Sequence, residues 1–221
     1  MKTIPTLGEI VQAQGVSRRG FMKDCAATAA LLALPPAMVP RIANALEQAR
    51  RPSVIWLSFQ ECTGCTESLT RSSSPTLEGL IFDSISLDYH HTLQAASGDA
   101  AEAARHAAME ENMGQYLVLV DGSIPKGNPG YSTNAGISNY DMLMETVEGA
   151  AAVVSIGSCA AFGGIPGANP NPTGAVSVQD LVKDKPVINV PGCPPIPMVI
   201  TAVLAQFLTF GQLPELDIHG R

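Results

Sequence analysis

Four of the five cysteines in this chain are spaced as ligands of one metal centre would be. Cys62 and Cys65 are separated by two residues, whereas Cys159 and Cys193 stand alone further along the chain. Thiolates bind zinc and iron–sulfur clusters, and pairs of thiols also form disulfides. A structural zinc site usually combines two paired motifs, and here one pair joins two single cysteines. The pattern favours an iron–sulfur cluster and leaves two disulfides or a zinc site as alternatives.

Short apolar stretches precede these cysteines and predict the strands that would position them. The stretches are rich in β-branched residues and lie at 54–59, 85–89, 116–120, 152–156 and 187–190. Most are continuously apolar, which is typical of strands buried on both faces of a sheet. The cysteine pair follows the first stretch, Cys159 the fourth and Cys193 the fifth. Because the carboxyl ends of parallel strands share one edge, where open α/β sheets build their ligand sites, we expect the thiols to converge there.

Glycines accompany each of these cysteines. Gly64 lies inside the pair, Gly157 precedes Cys159 by two residues, and Gly192 precedes Cys193 directly. A glycine lets the backbone approach closely, and backbone N–H groups aimed at cluster sulfurs help to set a reduction potential.

Helical patterns alternate with the predicted strands. They cover 95–113, 139–150, 176–182 and 197–209. Strand–helix alternation predicts a parallel sheet with right-handed crossovers. The fold class is therefore α/β, and five strands predict a flavodoxin-like doubly wound sheet that carries its metal centre at the C-terminal ends of the strands.

The N-terminus has the pattern of an export signal. Arg18 and Arg19 precede an uncharged apolar run at 25–39, which is shorter than the ~20 residues of a membrane-spanning helix. A small-x-small sequence, Ala43-Asn44-Ala45, then supplies a cleavage site. We predict a twin-arginine signal peptide at 1–45 and one domain at 46–221, so Cys25 would leave with the leader. Twin-arginine export carries folded proteins, which favours a cofactor inserted before export.

Composition excludes some classes of function. The formal net charge is −7 and aromatic residues make up 5% of the chain, which argues against a nucleic-acid-binding surface. Beyond the leader there is no apolar run of roughly 18 residues or more, so no membrane span is expected there.

Four stretches together resemble the small subunits of nickel–iron hydrogenases. They are ECTGCTES at 61–68, GSCA at 157–160, NPNPTGA at 169–175 and PGCPP at 191–195. The resemblance covers essentially the whole chain, and the twin-arginine leader agrees with it. It implies that Cys62, Cys65, Cys159 and Cys193 ligate a proximal 4Fe-4S cluster.

The resemblance also implies the partners. The catalytic nickel–iron site would lie in a separate large subunit that forms a heterodimer with this chain, so this chain would contain no catalytic residue. An uptake hydrogenase of this kind passes electrons to an acceptor such as a cytochrome. The expected location is the periplasm or the periplasmic face of the inner membrane, with membrane association only through the partner or a C-terminal part beyond this sequence.

Two features depart from the family pattern. Full-length members carry two further clusters in a cysteine-rich C-terminal portion, whereas no cysteine follows Cys193 and the sequence stops at Arg221. We therefore expect either a fragment or a shortened relay. Oxygen-tolerant members have extra cysteines around the proximal cluster, whereas this sequence has Gly64, which implies a standard, oxygen-sensitive site.

Two alternative functions stay open. A quinone-oxidoreductase subunit like that of respiratory complex I is expected to have adjacent cysteines and no twin-arginine leader. A disulfide-stapled periplasmic binding domain with a flavodoxin-like sheet would contain no iron.

A few other residues allow a chemical interpretation. Glu61 and Glu67 flank the cysteine pair and could relay protons, although a helix-start charge or an interface contact is the preferred interpretation. His90 and His91 are interpreted as surface or loop histidines, and Trp56 as a core residue.

Overall fold

The computed structural model describes residues 6–73 and 75–221. They form two compact units. The sheet unit contains residues 53–69, 87–196 and 216–221, and the helical unit contains the described residues up to 52 together with 70–73, 75–86 and 197–215.

The strands, numbered in chain order, are β1 Ser53–Ser58, β2 Ser86–His90, β3 Leu117–Asp121, β4 Ile124–Pro125, β5 Thr133–Asn134, β6 Ile137–Ser138, β7 Ala152–Ile156, β8 Ala175–Val176 and β9 Val187–Val190. The α-helices are α1 Leu7–Ala13, α2 Arg18–Leu31, α3 Val39–Gln48, α4 Gly64–Thr70, α5 Asp99–Glu111, α6 Asn139–Glu148, α7 Gly157–Phe162, α8 Val178–Leu181 and α9 Pro197–Phe210. Short 3₁₀ helices lie at Pro36–Met38 and Pro129–Tyr131, and a π-helix lies at Gly79–Ser84.

The main sheet has five strands in the order β2-β1-β3-β7-β9. β1, β3, β7 and β9 pair in parallel, with Ser58 opposite Asp121 and Asp121 opposite Ile156. β3 and β7 are buried along their whole length, which explains their continuously apolar sequences. This strand order is that of a flavodoxin-like doubly wound sheet, so the predicted fold class is confirmed.

The helices of the sheet unit begin where the sequence supplies caps. The side chain of Ser138 accepts a hydrogen bond from the Asp141 N–H at the start of α6, and Ser177 and Asp180 form a capping box at α8. α6 buries Met142, Leu143, Thr146 and Val147, residues that recur every three to four positions and therefore share one face.

The helical unit contains most of the predicted leader. α2 and α3 pack against each other and against α9, and α1 packs against α3. Helix α3 runs across the predicted boundary at residue 45. The leader and domain boundaries stay predictions. Within the described ranges, no helix is both long enough and apolar enough to cross a membrane.

Candidate functional site

The four predicted ligands lie at one edge of the main sheet. Cys62 is in the loop after β1 and Cys65 is in the first turn of α4. Cys159 lies in α7, which follows β7 directly, and Cys193 lies three residues after the end of β9. β3 separates β1 from β7, so its last residue, Asp121, ends between the loops that carry the cysteines.

Close approaches between the loops show that these segments meet. A Cβ atom added at Gly157 would collide with the Sγ atom of Cys65, which brings the loop after β7 against α4. The N–H of Ser158 donates to the carbonyl of Gly192 at 2.8 Å, and the Ser68 hydroxyl donates to the carbonyl of Pro195 at 2.5 Å. The three cysteine-bearing loops are therefore joined to one another by direct contacts.

Two further glycines leave space for thiols. A Cβ at Gly164 would lie 2.6 Å from the Sγ of Cys159, and one at Gly64 would lie 3.1 Å from the Sγ of Cys62. Gly157 and Gly164 have φ angles of +86° and +55°, a region that other residues rarely adopt. Glycine is thus required here for both its backbone conformation and its missing side chain.

The thiols influence one another electrostatically. Burial raises the pKa of Cys65 to about 12, with further contributions from the charges of Asp121, Cys159, Cys62 and Glu61. Burial also raises the pKa of Cys159, with contributions from Cys193 and Cys62. Cys65 and Cys159 therefore each lie close enough to two other cysteines of the set for the charges to interact. They hold their protons at neutral pH, so binding of a metal centre must displace protons.

The state of the thiols in the described part of the chain bears on the two alternatives to a cluster. All five cysteines lie in the described part of the chain, and all are free of disulfides. Among residues 6–73 and 75–221, no three His, Cys, Asp or Glu side chains converge closely enough to hold one metal ion, as a zinc site would require. An iron–sulfur cluster instead spaces its thiolates around a larger core, each bound to a different iron.

A buried carboxylate lies beside the cysteines, and the sequence interpretation missed it. Asp121 is fully buried, and the Thr66 hydroxyl, next in sequence to Cys65, donates to its Oδ2 atom at 3.3 Å. Burial raises the pKa of Asp121, and nearby polar hydrogens of Ser58 and Trp56 partly offset that effect. The available signal was an acidic residue at the end of an otherwise apolar strand.

His90 lies beside Thr66 and belongs to the same buried polar cluster as Asp121. Its Nδ1 atom accepts hydrogen bonds from the backbone N–H groups of Thr92 and Leu93, which places the ring proton on Nε2. That nitrogen lies 3.5 Å from the hydroxyl of Thr66. Burial lowers the pKa of His90 to about 4, so the ring is neutral at physiological pH.

The interpretation of the two histidines as surface or loop residues is wrong for His90, whereas His91 does lie in the turn that follows β2. His90 is fully buried at the end of β2, and its ring lies 5.0 Å from that of Trp56, which is in the core as predicted. His91 is half-buried, its Nδ1 atom accepts from the N–H of Ser58 at 2.9 Å, and burial lowers its pKa. The reason is that β2 packs beside β1, so the end of the strand lies inside the sheet unit.

The two glutamates that flank the cysteine pair have different surroundings. Burial, followed by the charge of Asp121, raises the pKa of Glu61 to about 7, and the Thr63 hydroxyl donates to it at 3.3 Å. Glu67 is exposed in the first turn of α4, which agrees with a helix-start charge.

Known sequences similar to this chain are redox subunits. The model of the family described as NADH ubiquinone oxidoreductase, 20 Kd subunit, matches residues 62–207. The chain is 47% identical over 213 residues to the hydrogenase-2 small chain of Escherichia coli K12, covering 96% of this chain and 57% of that protein. It is 44% identical over 222 residues to the uptake hydrogenase small subunit of Azotobacter vinelandii, covering 62% of that protein. The chain thus spans about three fifths of the length of these relatives.

Solved structures of hydrogenases are also similar to this chain. A [NiFeSe]-hydrogenase from Desulfomicrobium baculatum superposes with a TM-score of 0.72 at 33% identity, over 78% of this chain and 70% of the other. The recombinant [NiFeSe] hydrogenase from Desulfovibrio vulgaris Hildenborough gives 0.71 at 33% identity, over 78% and 68%.

Proposed function

The chain belongs to the family of the NADH ubiquinone oxidoreductase 20 Kd subunit and, within it, to the small subunits of nickel–iron hydrogenases, and from this we propose that it is the electron-transfer subunit of a periplasmic uptake hydrogenase. The observation that carries the proposal is that the four free cysteines lie on contacting loops at the carboxyl edge of the sheet. The relatives of 41–47% identity are hydrogenase small chains, which favours this function over the complex I alternative.

Cys62, Cys65, Cys159 and Cys193 would hold one 4Fe-4S cluster. The donor set suits it, since four thiolates are the usual ligands and the cluster supplies one-electron transfer when bound. The chain itself does three things for such a group. It leaves space by having glycine at positions 157 and 164, it joins the loops through the Ser158–Gly192 hydrogen bond, and it places Cys65 in a half-buried position.

A large subunit carrying the nickel–iron site would bind at the cysteine edge, by which we mean the carboxyl edge of the main sheet with Cys62, Cys65, Cys159 and Cys193. Three large apolar side chains close in sequence to Cys159 or Cys193 are exposed, namely Phe162 at 47%, Ile165 at 78% and Ile196 at 65%. Neighbouring exposed apolar residues are typical of subunit interfaces. A partner bound here would bring its redox centre close to the cysteines. Electrons would then pass onward to an acceptor such as a cytochrome.

The periplasmic location rests on the leader at 1–45. Arg18 and Arg19 are exposed in the first turn of α2, where export machinery could reach them. The side chain of Ser17 caps this helix by accepting a hydrogen bond from the N–H of Gly20. The folded state of the chain thus keeps the arginine pair accessible.

Iron analysis tests the proposal. The chain is co-expressed anaerobically with its large subunit, and iron, sulfide and the EPR spectrum of the reduced protein are measured. We expect about four irons per small subunit from a single cubane cluster. Cys62→Ala and Cys193→Ala should each lose the signal, whereas Cys25→Ala, which alters a buried thiol of the helical unit, should keep it. Iron-free protein with oxidised cysteines would contradict the proposal and favour a disulfide-stapled binding domain.

A further inference from the structure

The predicted leader is folded onto the rest of the helical unit. Four of its residues form a buried apolar cluster, and half-buried side chains surround them. The buried residues are Cys25, Ala29, Ile42 and Ala43, and the surrounding ones are Phe21, Met22, Leu34, Met38, Val39, Leu46 and Phe210. Phe210 belongs to α9, so the leader covers part of a helix that lies far beyond the leader in sequence.

The predicted cleavage site lies inside this packed structure. Ala43 is only 7% exposed, and it is one of the two small residues that a signal peptidase must accommodate. The carbonyl of Ala45, which belongs to the bond to be cut, accepts a hydrogen bond from the N–H of Ala49 at 2.9 Å. The Gln48 side chain donates to that of Asn44 at 3.0 Å. A protease can therefore reach this bond only after α3 opens locally.

Helix α1 holds the other side of α3. A Cβ at Gly8 would lie 2.7 Å from the carbonyl oxygen of Glu47, so the two helices touch through their backbones. The N–H of Leu7 donates to the carbonyl of Ala49 at 2.8 Å. These contacts lie two to four residues after the predicted cut, so the bond is held on both sides by the fold.

The contact between the leader and α9 is incompletely packed. A pocket of about 320 Å³ lies in the helical unit, with walls that include Val11 and Leu31 from the leader and Leu204 and Leu208 from α9. Side chains that line a void lose contacts on that side, so the leader is held less firmly than a filled core would hold it. Release of the leader therefore breaks fewer contacts than release from a filled core would.

We propose that the leader docks on α9 and keeps the bond between Ala45 and Leu46 closed to signal peptidase, so that release of the leader is the step that permits cleavage. This inference rests on the proposed export signal. Cleavage consumes one water molecule and leaves a carboxylate on Ala45 and an amino group on Leu46. Since twin-arginine substrates are exported folded, the precursor would reach the peptidase with this site still closed.

A cleavage assay tests the closed site without changing the leader. Purified, cluster-loaded full chain is incubated with detergent-solubilised signal peptidase, and the cut after Ala45 is followed by mass spectrometry. Phe210→Ala removes a half-buried contact of the leader, and Met198→Ala removes a side chain of the same helix that is 51% exposed. We expect Phe210→Ala to be cut about tenfold faster than wild type, a change of the size that one partly buried side chain gives to a local opening equilibrium. Met198→Ala should match the wild type.

Hydrogen exchange provides a second measurement. The amides of residues 43–49 should be protected in the wild type and lose protection in Phe210→Ala, whereas amides of β3 should not change in either protein. Gly8→Val, which forces α1 away from α3, should have the same effect on residues 43–49 as Phe210→Ala.

A peptide control distinguishes failure of the proposed closed site from failure of the proposed leader. A synthetic peptide of residues 34–52 contains the site without the fold. If the peptide is cut after Ala45 and the wild-type chain is cut equally fast, the fold does not protect the bond, and only the proposed leader is supported. If neither the peptide nor any form of the chain is cut there, the proposed leader is wrong and the inference falls with it.

Discussion

Gly157 lies where the loop after β7 meets the helix that carries Cys65. Its φ angle is +86°, and a side chain at this position would collide with the Cys65 thiol. Gly136 has a similar φ of +77° but open space around its missing Cβ. Substitution of each glycine in turn therefore distinguishes the effect of backbone strain from the effect of a steric collision.

Gly157→Ala should abolish iron binding, whereas Gly136→Ala should keep it. Both variants cost about 1 kcal/mol of strain for a positive φ, and only Gly157→Ala displaces a proposed ligand. Iron content and the EPR signal of the anaerobically purified complex check this prediction. Full iron loading of Gly157→Ala would show that the space beside Cys65 is not part of the site.

His90 should make the chain sensitive to acid. Its pKa is lowered from 6.5 to about 4 by burial, so below pH 6.5 the unfolded chain binds a proton that the folded chain excludes. Above pH ~6.5 this effect does not lower the free energy of unfolding. As the pH falls from there toward 4, the free energy of unfolding decreases by roughly 3 kcal/mol in total.

Urea unfolding at pH 7, 5.5 and 4.5 measures this effect. His90→Asn keeps an acceptor for the N–H groups of Thr92 and Leu93 but cannot gain the proton, so its stability should fall less steeply with acid. His106→Asn, on the exposed side of α5, is the control. Equal slopes for His90→Asn and wild type would exclude His90 as the cause.

Helices α5 and α6 are joined by one buried arginine. Arg105 is fully buried and donates to Glu102 at 3.0 Å, to Glu145 at 2.8 Å and to Thr146 at 2.9 Å. Arg221 and Asp217 form a comparable pair at 2.8 Å with half-exposed side chains. Removal of one partner is costly only where water cannot replace it.

Arg105→Ala should therefore lower the free energy of unfolding by roughly 3 kcal/mol, whereas Arg221→Ala should leave it nearly unchanged. Urea denaturation at neutral pH measures both. A small loss in Arg105→Ala would mean that neither the ion pairs nor the stem of this arginine contributes much to joining the two helices.

The five strands of the main sheet could be predicted from sequence to within one residue because most are continuously apolar, whereas the two-residue strands β4, β5, β6 and β8 are too short to give such a pattern. The helix predicted at 95–113 begins later, at Asp99, because Gly98 has a φ of +56° and interrupts it. Helices α4 and α7 have seven and six residues, too few for a periodic pattern, and they form where strands turn into the cysteine loops. The four cysteines were predicted as ligands from their spacing, and that assignment stays a prediction, whereas the role of Asp121 and the burial of His90 depend on packing between distant segments.

At the scale of the whole molecule, the chain presents a cysteine edge bordered by exposed apolar side chains. Ile165 is 78% exposed and Ile196 is 65% exposed, and each lies within six residues of a cysteine. Ile218 is 95% exposed in the same unit but is distant in sequence from every cysteine. A large subunit bound over the proposed cluster would bury Ile165 and Ile196, whereas it would not need to contact Ile218.

Ile165→Glu and Ile196→Glu should each weaken binding of the large subunit by roughly a hundredfold, because a charge placed at the centre of an apolar interface must lose its water. Ile218→Glu should bind as the wild type does. Affinity is measured by titration of purified subunits, and the iron content of each variant is measured alongside it. A variant that keeps its iron but loses the partner assigns the surface to assembly. Unchanged affinity in both variants would place the large subunit on another face, and electron transfer would then have to start from a different edge of the sheet.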